Sequence, residues 1–142
     1  MDITVRTSSG YHGDTSKLFV IGKSPIEEEN PAEQADPSVK LATITRECLF
    51  LGIREIKPGV TTLGDIGAVI QNHAESHGYS VVTEYVGHGV GRAFHEGPRV
   101  EHVGTKGSGS ILHSGQVITI EPMINAGAKN VIMSSDQWEV SH

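Results

Sequence analysis

Gly87-His88-Gly89-Val90-Gly91-Arg92-Ala93-Phe94-His95-Glu96 is the stretch on which the reading of this chain turns. Two histidines seven residues apart stand among three glycines and an aromatic, directly after residues 80–85, whose alternation predicts a strand. Glycine at every second position makes a poor helix and a poor strand, because it loses the most backbone entropy on ordering and packs no side chain. The stretch therefore reads as a loop delivered by a strand, and loops of that kind carry sites. A dinucleotide-binding reading fails: the third glycine of that fingerprint, the Lys-Ser/Thr of a phosphate loop and a following helix are all missing.

Working outward, composition narrows the possibilities. The chain has 142 residues, 37% hydrophobic and 20% charged, enough for one globular domain with a core. Eleven Lys+Arg against seventeen Asp+Glu give a formal charge of −6, and the basic residues are scattered, so nucleic acid is not an expected partner. Cys48 is the single cysteine, which excludes an intrachain disulfide and a cysteine zinc cage. It sits in an apolar helical pattern and reads as an inert buried thiol rather than a nucleophile. The start of the chain has neither the charge nor the apolar run of a signal peptide, and nothing approaches a membrane span, so a cytoplasmic location is expected.

Along the chain, Asp2–Arg6 alternates with β-branched residues, residues 7–10 supply a turn and residues 15–21 read as the returning strand of a hairpin. Pairing about Ser8 would set Asp2 and Asp14 opposite one another on one face, where like charges need a proton or a cation between them. Residues 22–36, with two prolines and Glu27-Glu28-Glu29, read as a solvated loop. A helix is predicted from an Asp36 cap and Pro37, carrying Val39, Leu41, Ile44, Cys48, Leu49 and Ile53 inward and stopping before Lys57-Pro58-Gly59. A second is predicted from Thr62, with Asp65 completing a capping box, Leu63, Ile66, Val69 and Ile70 inward and Gly78 at its end. His73 and His77, four apart at the fraying end of that helix, are expected to find no nearby acidic partner and read as surface histidines. Pro98 closes the glycine loop, and residues 103–110 form a second glycine-rich connection. Residues 116–121 read as a strand with Val117, Thr119 and Glu121 on one face, ended by Pro122. Asn125-Ala126-Gly127 reads as a turn, and residues 130–133 and 138–140 as short strands.

The chemistry-bearing residues that remain are Asp2, Asp14, His88, His95 and Glu121. Three carboxylates with imidazole suit Mn²⁺, Fe²⁺, Co²⁺ or Zn²⁺, and a carboxylate can bridge two such ions. Taken singly, Asp2 is a chain-start residue, Asp14 a turn residue and Glu121 a strand-end charge; spacing alone does not say that the five meet.

Four ordered segments carry a resemblance. Asp2-Ile-Thr-Val5, Tyr11-His-Gly-Asp14-Thr-Ser-Lys17, Gly87 to Glu96, and Thr119-Ile-Glu-Pro-Met123 resemble the signature segments of type I methionine aminopeptidases. The resemblance implies an α+β pita-bread fold, here a curved antiparallel sheet covered on one face by two amphipathic helices. It implies a metallopeptidase that removes the initiator methionine from nascent proteins by hydroxide attack at a dinuclear centre of Co, Mn, Fe or Zn ions. By that resemblance Asp2, Asp14, His88 and Glu121 are the metal ligands, Asp14 bridges, and Glu121 doubles as general base. His95 contacts substrate and stabilises the tetrahedral intermediate, while Phe94 and Trp138 line the methionine pocket. The implied partner is the N-terminal methionine of a nascent polypeptide, in a setting compatible with ribosome association, with neither nucleic-acid specificity nor a membrane, and the complete protein is expected to be a monomer.

The chain also departs from the family pattern. The family has an N-terminal half with another substrate-binding histidine, and a second bridging glutamate downstream of the tryptophan. The turn between Asp2 and Asp14 looks one residue longer than usual, and residues 23–36 look like an insertion. Residues 1–142 are thus expected to be a single partial catalytic domain. The alternative is an inactive remnant, or a binding module of the same fold.

Overall fold

The structure is a computed structural model, which describes residues 1–26, 30–135 and 140–141. Among them it contains β1 (Asp2–Arg6), β2 (His12–Ser16), α1 (Pro37–Glu55), α2 (Leu63–Ser76), β3 (Ser80–Val81), β4 (Gly87–Gly89), β5 (Glu96–Val100), β6 (Ile124–Asn125), β7 (Ile132–Met133) and β8 (Val140–Ser141). The class is α+β, as expected, with every ladder antiparallel.

The helices follow from local signals. The Asp36 side chain caps α1 by accepting from the Ser38 amide at 2.9 Å, and Pro37 occupies the first turn, where its missing N–H costs nothing. Lys23 holds the same carboxylate at 2.9 Å, which ties the loop before α1 to its start. At α2, Asp65 accepts from the amide and the hydroxyl of Thr62 at 2.7 and 2.8 Å, and its other oxygen accepts from the Gly107 amide at 2.9 Å. One side chain thus caps the helix and anchors the glycine-rich connection. These bonds hold the Asp65 carboxyl below its usual range, the Thr62 and Gly107 amides contributing most.

The core lies where the helices meet. Ile44 and Cys48 of α1 pack with Ile66, Ile70 and Ala74 of α2, and Val81, Leu112 and Ile124 close the cluster from the strand side. Leu41, Leu63 and Val69 pack at its edge. Ile53, expected inside, is 46% exposed. The row Ile44, Cys48, Gly52 advances by four and stays on the buried face, whereas residue 53 lies about 100° further round the helix. α2 lies against β3 and α1 against β6. Among the described residues no helix is long and apolar enough to cross a membrane.

The strands depart further from expectation. Among the described residues the antiparallel strands pair as four two-stranded ladders, β1–β2, β3–β6, β4–β5 and β7–β8, in keeping with an incomplete fold. The returning hairpin strand is His12–Ser16, not residues 15–21, because the ladder begins straight after the turn that the Thr7 and Tyr11 backbones close at 2.8 Å. Its register pairs Asp2 with Ser16 and Thr4 with Asp14. The two aspartates therefore share a face but sit diagonally rather than opposite. The strand expected over residues 80–85 is reduced to β3.

The glycine stretch, read as a loop, begins with a strand. β4 pairs with β5 through Gly87↔Val100 and His88↔Arg99, with an irregularity before Gly89↔Glu96, and Pro98 lies inside β5 rather than closing a loop. The glycines are needed because backbone passes on both sides. A Cβ on Gly87 would run into the Thr119 carbonyl oxygen, and one on Gly89 into the Gly97 carbonyl oxygen. Residues 116–121, expected as a strand, join β4 by the single bridge Gly89↔Ile118 and two flanking backbone bonds, Val90 to Val117 at 3.1 Å and Thr119 to His88 at 2.8 Å. Asn125, expected in a turn, pairs with Ser80. β7 falls within the expected 130–133, while residues 138–139 lie outside the described residues.

Candidate metal centre

β2 is fastened to the glycine stretch by His12, whose amide and ring Nδ1 both donate to the Gly91 carbonyl, at 2.8 and 3.1 Å. Arg92 reinforces the junction: it donates to the Ser9 carbonyl at 3.2 Å and stacks 4.6 Å over the Tyr11 ring. These contacts bring Asp14, two residues along β2 from His12, up to His88 of β4.

Thr119 sets the third member. Its hydroxyl accepts from the His88 amide at 2.9 Å and donates to Glu121 Oε1. Asp14, His88 and Glu121 then each offer a ligand atom within 4.8 Å of the others. Among the described residues this is the one group of three or more His, Cys, Asp or Glu side chains so gathered.

The tautomer of His88 gives the group its meaning. Ring Nδ1 lies 2.8 Å from the Gly89 carbonyl oxygen, which can only accept, so Nδ1 carries a proton. In neutral imidazole Nε2 is then a bare lone pair, 3.6 Å from Asp14 Oδ2 and 3.5 Å from Glu121 Oε1. A lone pair facing two carboxylate oxygens is repulsive unless something positive lies between them. A divalent first-row ion about 2.1 Å from each donor sets its ligand atoms about 3.0–3.4 Å apart, near what is seen. The oxygen and nitrogen donors, with Asp14 and His88 side chains only 10% and 11% exposed, fit such an ion.

The other expected site residues fall around this trio. Asp2 shares the hairpin face of Asp14 but stands outside the close group. The His95 ring lies 4.3 Å from that of His88, edge to face, and Phe94 lies 4.2 Å from His95 and 5.4 Å from His88. Trp138 lies outside the described residues. His73, expected to lack an acidic partner, has one: Glu47 of α1 meets its Nε2 at 2.7 Å, a pairing between helices that no local pattern reveals.

Three residues at the centre escape a reading of the sequence. His12 stands in the quoted motif beside Asp14, and Thr119 shares a strand face with Glu121, so each carried a signal. His102 carried none. It is 1% exposed, and its Nε2 accepts from the Glu121 amide at 3.1 Å. Burial pushes its pKa down to about 4, so the ring is neutral at pH 7.

Known proteins share this arrangement of elements. The model described as Metallopeptidase family M24 matches residues 1–142. The chain is similar to methionine aminopeptidase of Escherichia coli, 45% identical over 140 residues that make up 99% of this chain and 48% of that protein. The solved methionine aminopeptidase from Rickettsia prowazekii superposes with a TM-score of 0.83 at 40% identity, over 99% of this chain and 52% of that one. The methionine aminopeptidase from Thermotoga maritima gives a TM-score of 0.84 at 36% identity, over 98% and 51%. The chain thus spans about half the length of the curated relatives it matches.

Proposed function

The chain belongs to metallopeptidase family M24, with the pita-bread fold of its relatives present in part, and from that premise we propose that it carries the greater part of an aminopeptidase centre that removes methionine from polypeptide N-termini. The observation that carries this reading is the His88 lone pair aimed with two carboxylates at one gap.

Asp14, His88 and Glu121 would hold a divalent ion there, and Asp2, on the same hairpin face, would be the further ligand for a second; Mn, Fe, Co and Zn all suit these donors. The ions, when bound, supply Lewis-acid polarisation of the scissile carbonyl and a lowered pKa for the attacking water. The protein's own groups do the rest. Glu121 takes a proton from that water and delivers it to the leaving amine, so the proton balance closes within one side chain. His95, beside His88, donates to the oxygen on which charge develops. Phe94, stacked on His95, offers a flat apolar wall to the methionine thioether, with Trp138 as the second wall. The substrate is a nascent polypeptide, which sets the work in the cytoplasm beside the ribosome, by a monomer, with residues 23–36 as an insertion that takes no part.

The test incubates the 142-residue chain with a Met-Ala tripeptide and Mn²⁺ or Co²⁺ and measures free methionine. Release that stops with EDTA and falls at least about 100-fold in His88→Ala is expected. A second reading is favoured by the position of Asp2 outside the trio. It is an inactive chain that binds one ion, and it is the result if Mn²⁺ binds and no methionine appears.

A further inference from the structure

His102 presents a cost that packing does not explain. It follows β5 by two residues and is 1% exposed. Because Nε2 accepts from the Glu121 amide, the ring proton sits on Nδ1, and among the described residues Nδ1 is the one fully buried side-chain nitrogen or oxygen without a hydrogen-bond partner. An orphaned buried donor is destabilising, and a leucine of similar volume would remove the penalty. What leucine could not do is accept a hydrogen bond.

The backbone around Glu121 shows why that matters. Thr119 makes the last bond to β4, at 2.8 Å to His88, and Met123 makes the first to the strand side of α2, accepting from Val82 at 3.0 Å. Between them Pro122 has no N–H to give. The Glu121 amide is thus the anchor of a stretch that crosses from one ladder to the next, and His102 holds it.

We propose that His102 is a positioning residue: by accepting the Glu121 amide it fixes the backbone from which the Glu121 carboxylate reaches the gap shared with Asp14 and His88. This rests on the reading of that gap as a metal centre. Groups that orient a ligand rather than touch the ion are typically worth about 10–100-fold in affinity.

The experiment measures Mn²⁺ affinity by titration calorimetry, and the urea midpoint of the metal-free protein, for the 142-residue chain and three variants. His102→Leu keeps the volume and loses the acceptor; His102→Gln keeps an acceptor near the position of Nε2; His88→Ala reports the centre itself. The expected result is affinity lowered about tenfold or more in His102→Leu, restored to within about threefold of wild type in His102→Gln, with the His102→Leu midpoint no lower than wild type. Equal Mn²⁺ affinity in His102→Leu and wild type overturns the proposal while leaving the centre standing. So does a fall in both His102 variants that tracks a lowered midpoint, which is a purely structural role. Absence of binding by wild type, or binding unchanged in His88→Ala, overturns the metal centre and this proposal with it.

Discussion

The helical layer and the hairpin are built on opposite terms. Where α1 and α2 face one another the apolar side chains vanish: Cys48, Ile66 and Ile70 are 0% exposed, while Phe50 and Ile53 face out of α1. In β1 the corresponding apolar residues stand open, Ile3 at 46% and Val5 at 57%. The helices are stabilised by burial, at about 25 cal/mol per Å² of apolar surface removed from water. The ladders beside them are held by hydrogen bonds between distant segments: His12 to Gly91, Arg92 to Ser9, His88 to Thr119 and Glu121 to His102. Each such bond is worth only about 0.5–1.5 kcal/mol net, but each has direction. Stability is thus concentrated in one region and geometry in the other, and the candidate centre lies in the second.

The sharpest way to break this comparison is to open the core. Ile70→Ala is expected to cost about 2–5 kcal/mol, read as a drop in the urea unfolding free energy; a loss below about 1 kcal/mol would mean the helical layer does not dominate stability. The Cys48 thiol reports the same event. Burial first, and Glu47 beside it, push its pKa up to about 11, so at pH 8 a disulfide reagent meets a neutral, enclosed thiol. Labelling is therefore expected to track unfolding and to quicken on the order of 30-fold or more in Ile70→Ala, as the open population rises with the lost free energy.

A smaller stability effect with a larger functional one is expected at Gly89. An added methyl meets the Gly97 carbonyl, so Gly89→Ala must push β4 and β5 apart. A cost of about 1–3 kcal/mol is expected from the forced shift, together with Mn²⁺ affinity lowered about 10-fold or more as His88 moves. Calorimetry on the folded variant checks this, and unchanged affinity would separate the strand pairing from the centre. The smallest effect belongs to the hairpin surface: Val5→Thr should change the unfolding free energy by less than about 0.5 kcal/mol. A larger loss would show that the open face of β1 is covered in solution.

Much of the helical layer was legible because its signals are local. Asp36 and Pro37, Thr62 and Asp65, and apolar residues spaced three and four apart all act within a turn or two of chain. Even there Ile53 departs from the pattern: its residue type fits the apolar spacing, but it lies beyond the face that turns inward. Strands gave less. The strand expected over residues 15–21 starts three residues late and ends five late, drawn on by Leu18, Phe19, Val20 and Ile21, which have the right propensities but, among the described residues, no partner strand. β-propensity describes a fit to neighbours, and the neighbours are not in the local sequence.

The centre divides the same way. Residue type and order by themselves determined that Asp14, His88 and Glu121 were candidates, that no cysteine cage or disulfide was available, and that two capped helices would supply a core. Only the tertiary structure decided that these three meet while Asp2 stands aside, that Glu47 finds His73 across the helices, and that His102 takes the Glu121 amide. The reason is physical. Helix caps and periodicity are energies of neighbouring residues, whereas a convergence of donors depends on where separate ladders come to rest. That is settled by packing and by hydrogen bonds between residues up to 83 positions apart, as Ser9 and Arg92 are.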